Sequence, residues 1–189
     1  MPEPIQRLLE LPSGYRSSAV ARAVWQLDDQ SRRLKAATAA LRPAALEWQP
    51  APGFSTLGML LAHVAVAEAH MTAVLLEGRE HSDVASVIGI RMEDDGMPLP
   101  SDGGPPAALA NQGIEFFHSM LERARQRTRR VAQELTDADL DRRIVRHPED
   151  GTTRIYNVDW ALYHLVEHIA GHHAQVLQLM HLHDRRAGA

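Results

Sequence analysis

Apolar and polar positions along this chain follow the period of packed helices. Val20, Val24, Leu27, Leu34 and Leu41 recur at helical spacing between Ser17 and Leu41, which predicts a long first helix that Pro43 stops. The stretch from Leu46 to Phe54, with Pro50, Pro52 and Gly53, reads as a connection. Ser55 then reads as the N-cap of a second helix reaching Leu76, with Gly78 just past its end. From Glu77 to Pro106, prolines and glycines predict a long irregular crossover, a candidate lid. Ile114, Phe117, Leu121, Ala124, Val131 and Leu135 predict a third helix from about Pro105 to Leu135, and its other face carries Glu122, Arg123, Arg125, Arg127, Arg129 and Arg130. Those arginines read as a solvated helix face. Between Ile144 and Val158 the helical period stops, and the turn formers Pro148-Glu149-Asp150-Gly151 predict a short hairpin or extended loop. The last helix is expected from about Val158 to His183. Leu162, Leu165, Ile169, Val176 and Leu179 form its core stripe, with His172 on the same stripe. The expectation is an all-α four-helix bundle, a single domain over residues 1–189.

Composition narrows the function. A chain of 189 residues matches one ordinary domain, and an aromatic content of 5% favours helices over sheets. The net charge of -4 comes from intermixed acids and bases, so neither nucleic acid nor an anionic membrane is an expected partner. Small molecules or proteins fit better. With no cysteine, the chain has no disulfide, no thiolate ligand and no cysteine nucleophile; any thiol chemistry would use a thiol brought by the substrate. Met1 to Tyr15 contains acids and prolines but no apolar run of signal-peptide length. The longest apolar stretch, Leu57 to Ala67, is interrupted by His63, so a cytoplasmic protein is expected.

The eleven histidines are the feature that composition alone does not explain. His164, His168 and His172 are four residues apart on the last helix, so neighbours lie ~6 Å along one face and can share a metal ion. The outer two are ~12 Å apart in helix rise, against metal–nitrogen bonds of ~2.0–2.1 Å. One adjacent pair can therefore serve, and a third ligand has to come from elsewhere. His63, in the middle of the apolar second helix, is the natural supplier. His164-Leu-Val-Glu167-His168 also spells the H-x-x-E-H order of inverted zinc peptidases, with Glu167 as the general base. Those enzymes take a further glutamate ligand downstream, and no glutamate follows Glu167 here, which leaves a metallopeptidase as the lesser alternative.

Leu61-Ala-His63-Val-Ala-Val-Ala-Glu68, followed far downstream by His164-Leu-Val-Glu-His168-Ile-Ala-Gly-His172-His173-Ala-Gln175, resembles the DinB-like (damage-inducible B) superfamily. The resemblance covers nearly the whole chain. It implies an up-down-down-up four-helix bundle holding a metal on one histidine of helix two and an H-x-x-x-H pair of the last helix, with a glutamine three residues after the final ligand. Gln175 in that place selects His63, His168 and His172; the usual preceding glycine is Ala174 here. The resemblance further implies one divalent ion, zinc or nickel, with iron or manganese as lesser options. It also implies frequent homodimers and thiol-dependent transfer or isomerisation using a low-molecular-weight thiol, and the expected activity is a thiol-dependent S-transferase or hydrolase. Three imidazoles leave an open position, where a water or thiol would lose its proton near neutral pH. Glu68, His164 and Gln175 are candidates for orienting ligands or moving protons around it. The alternative is a non-catalytic, metal-stabilised bundle serving binding or a stress response.

Overall fold

The computed structural model describes residues 8–148 and 150–187. The first seven residues of the Met1–Tyr15 reading, and Glu149 of the expected turn, lie outside the described residues. Helix α1 spans Ser18–Thr38, and the Ser17 hydroxyl caps it by accepting from the Val20 amide at 3.2 Å. The helix ends at Thr38, short of the expected Leu41 and before Pro43 can stop it. With no amide hydrogen to lose, Pro43 instead opens the short helix α2, Pro43–Leu46. Helix α3, Leu57–Met71, is capped one residue later than expected, by Thr56, whose hydroxyl accepts from the Met59 amide at 3.1 Å. It widens into a π turn over Thr72–Leu76.

The crossover is more ordered than its prolines and glycines suggest. It contains α4, Val84–Ile88, capped by Asp83, and a 3-10 turn, Met92–Asp95, that Gly96 ends at a φ of 72°. Only glycine suits that corner, because a Cβ there would also meet the Pro106 ring at 2.9 Å. A second 3-10 turn, Ala107–Leu109, occupies the expected start of the third helix. Helix α5 begins only at Ile114, after Asn111 adopts a φ of 59°, and runs to Glu134. Helix α6, Asp137–Leu140, leads to the hairpin of β1, Arg143–Arg146, and β2, Arg154–Asn157, antiparallel with Val145 opposite Ile155. Helix α7, Val158–Ala187, follows directly, with the Asn157 side chain accepting from the Trp160 amide at 2.9 Å.

The fold is mostly helical, and four long helices share one core. Helix α3 lies against α5 and α7, and α1 closes the other side against the same two. Leu57–Leu76 is long and apolar enough to cross a membrane, with mean hydropathy 1.7, yet 83% of it is buried inside the protein. A helix apolar on every side is what a core element surrounded by others requires. Gly58 lets α5 approach it: a Cβ there would meet the Phe117 ring at 2.9 Å and the Leu46 carbonyl at 3.2 Å.

One arginine departs from the expected solvated face of α5. Arg125 is only 1% exposed. Its guanidinium donates to both oxygens of Glu68, at 2.7 and 2.9 Å, and to Asp28 at 3.1 Å, and Asp28 also accepts from Arg129 at 2.9 Å. Periodicity records a charge in a polar run but not the two carboxylates that face it from α1 and α3. With them, a buried guanidinium is tolerated; without them it would be strongly destabilising.

Candidate metal centre

The helical repeat of α7 places His168 and His172 one above the other on the side facing α3, and His63 meets them from mid-α3. The three rings converge, with centroid separations of 5.1 Å for His63–His168, 4.9 Å for His63–His172 and 4.4 Å for His168–His172. One nitrogen from each lies within 4.8 Å of the others, and all three residues are half-buried. His168 Nε2 stands 3.3 Å from His63 Nε2. Two imidazole nitrogens bound to one tetrahedral ion at ~2.0–2.1 Å would stand ~3.3 Å apart, so this pair already has the spacing of a divalent site.

Partners behind the rings set which nitrogen faces inward. His63 Nδ1 is 2.9 Å from Asp95 Oδ2. A carboxylate only accepts, so Nδ1 donates to it, and Nε2 is the nitrogen turned to the cluster, which the neutral ring would offer to a metal. Asp95 is itself 2% exposed and fixed by the Met97 amide, which donates to Oδ1 at 2.9 Å. His172 Nδ1 donates to Gln175 Oε1 at 2.7 Å, which fixes the second ring in the same sense. Burial pushes His168 down to about 3, with the neighbouring His172, His63 and His164 adding to the effect. His172 is also lowered by burial, partly offset by its bond to Gln175. Neutral imidazoles are the form that binds a metal.

The structure sorts the remaining candidates. Gln175 lies directly behind His172. His164 stays outside the cluster, its ring 6.0 Å from that of His168 and stacked on Trp160 at 4.6 Å. Glu68 is not brought to the histidines, since both its oxygens accept from Arg125. Glu167 is 53% exposed at its side chain and pairs with His164 at 3.1 Å, away from the cluster. The residue that sequence reasoning missed is Asp95. It sits in the crossover, where no periodicity marks it, and its one signal is the turn-forming Asp94-Asp95-Gly96 triplet.

Comparison with known proteins bears on the family and the fold. A family model described as the DinB superfamily matches residues 26–176. Among solved structures, the chain is similar to a DinB-like protein from Bacillus cereus ATCC 10987, with a TM-score of 0.54 at 19% identity, covering 92% of this chain and 95% of that one. At that identity the likeness concerns the fold. No curated protein matches.

Proposed function

Because the chain belongs to the DinB superfamily, we propose that it is a metal-dependent enzyme holding one divalent ion, zinc or nickel, on His63, His168 and His172. The observation that carries this reading is the convergence of three half-buried ring nitrogens from two helices, with the protons of His63 and His172 turned outward to Asp95 and Gln175. When bound, the ion supplies an open position that acidifies a water or thiol. The protein's own part is to hold three neutral imidazoles at fixed angles, so that little reorganisation accompanies binding. Asp95 fixes His63 and Gln175 fixes His172, while the surrounding apolar side chains keep His168 unprotonated.

The reaction we propose is thiol-dependent transfer or hydrolysis on a small molecule. Because the chain has no cysteine, the thiol of such a reaction would arrive as a low-molecular-weight compound. A homodimer in the cytoplasm is part of the same reading. So is an up-down-down-up bundle. In support, the pairs Asp28–Arg129 and Lys35–Glu122 set α1 antiparallel to α5, and Glu68–Arg125 and Thr72–Thr128 set α3 parallel to α5. The test is transfer of a low-molecular-weight thiol to a panel of electrophiles by zinc- and nickel-loaded protein. The expected result is turnover that stops on chelation and in His168→Ala; turnover equal with and without metal would reject the proposal, and none in either loaded form would leave a metal-binding module.

A further inference from the structure

Away from the histidine cluster, a cavity of about 520 Å³ opens between the end of α3, the β1–β2 hairpin and the first turns of α7. Its apolar surface comes from Met71, Val74, Tyr156 and Trp160. One cation is built into its wall. The Arg146 guanidinium donates to the backbone carbonyls of Arg79 at 3.0 Å and Glu80 at 2.6 Å, which fix its position without cancelling its charge. Among the described residues of the wall, Arg154 is paired with Asp150, and the carboxylate of Glu80 is almost fully in solvent. His70, beside the cavity, donates to or accepts from Ser82 at 2.7 Å and is lowered by burial and then by the charge of Arg146. It adds polarity and no negative charge.

A row of rings connects the cavity to the histidine cluster. Tyr156, Trp160, His164 and His168 form a continuous row of rings, with successive centroids 4.9, 4.6 and 6.0 Å apart. His164 stands between the two, lining the cavity on one side and neighbouring His168 on the other. We propose that this cavity seats the substrate, and that the substrate is a small organic anion, a carboxylate on an apolar frame. Its frame lies against Trp160 and Tyr156, and its carboxylate accepts from Arg146. That the bound anion is the substrate rests on the proposed metal reading; that the cavity takes such an anion does not.

The probe is naphthoate, compared with its neutral amide by isothermal titration. Wild-type protein should bind naphthoate at one site about tenfold more tightly than the amide, the value of one charge-assisted hydrogen bond. Arg146→Gln should erase that preference and Arg146→Lys should restore much of it, which separates charge from any loosening of the hairpin. Equal binding of acid and amide, no saturable binding, or a preference that survives Arg146→Gln would overturn the anion site. In cobalt-loaded protein the naphthoate proton resonances should broaden relative to the zinc-loaded form. Tight binding without broadening would overturn the substrate assignment. If the protein takes up no metal yet binds naphthoate through Arg146, the metal reading fails and the anion site stands; if it takes up metal and does not distinguish acid from amide, the reverse holds.

Discussion

At the scale of single residues, the orientation of His63 depends on Asp95. In Asp95→Asn the amide oxygen can still accept from Met97, but its NH2 would face His63 Nδ1 as a donor. The ring proton then moves to Nε2, where it blocks the lone pair. We expect a loss of about 10–100-fold in metal affinity with the fold retained, measured by competition with a chromophoric chelator; unchanged affinity would show that Asp95 does not set the ring. The same residues predict a pH dependence of the metal-free protein. His168 is held near 3 when folded and returns to about 6.5 when unfolded, so between these values the unfolded chain carries the extra proton. Stability is complete above about 6.5 and declines as the pH falls towards 3. Denaturant midpoints of chelator-treated protein at neutral and acid pH should show that decline, and His168→Ala should lessen it, leaving the part that comes from the other histidines lowered by burial, such as His172 and His70. The histidines were legible because one helical repeat and one interrupted apolar helix announce them. Asp95 was not, because a carboxylate in a proline- and glycine-rich crossover looks like any solvated turn residue until the fold brings it against His63.

At the scale of elements, helix existence follows from apolar period, whereas helix ends follow from local caps. Thr56 rather than Ser55 starts α3 because its hydroxyl reaches the Met59 amide. Helix α5 begins at Ile114 rather than near Pro105 because Asn111 is left-handed and Gly113 is extended. The period cannot see either. It also cannot separate Arg125 from the arginines around it, since the distinguishing partners, Asp28 and Glu68, lie on other helices. Arg125→Met should therefore destabilise the protein by about 3–5 kcal/mol, leaving Glu68 buried without its partner. Adding Glu68→Gln should recover part of the loss, which denaturant titration of the single and double variants would reveal. Additive losses would mean that the two side chains do not act as a pair.

At the scale of the whole molecule, the apolar core draws residues from all four long helices, and the three clustered histidines are half-buried residues outside it. Folding therefore rests on the core, and the histidine cluster is an addition to it. Chelation should leave the helical circular dichroism in place while removing the proposed thiol-transfer activity. A metal that held the fold together would instead be unmasked by unfolding on chelation. The most direct measurement of the central claim is metal content by elemental mass spectrometry on untagged protein, wild type beside His63→Ala, His168→Ala and His172→Ala. The expected result is close to one zinc or nickel per wild-type chain and a marked loss in each variant whose fold is intact by circular dichroism. Wild-type protein that holds no metal even after reconstitution, or variants that keep the full complement, would contradict it.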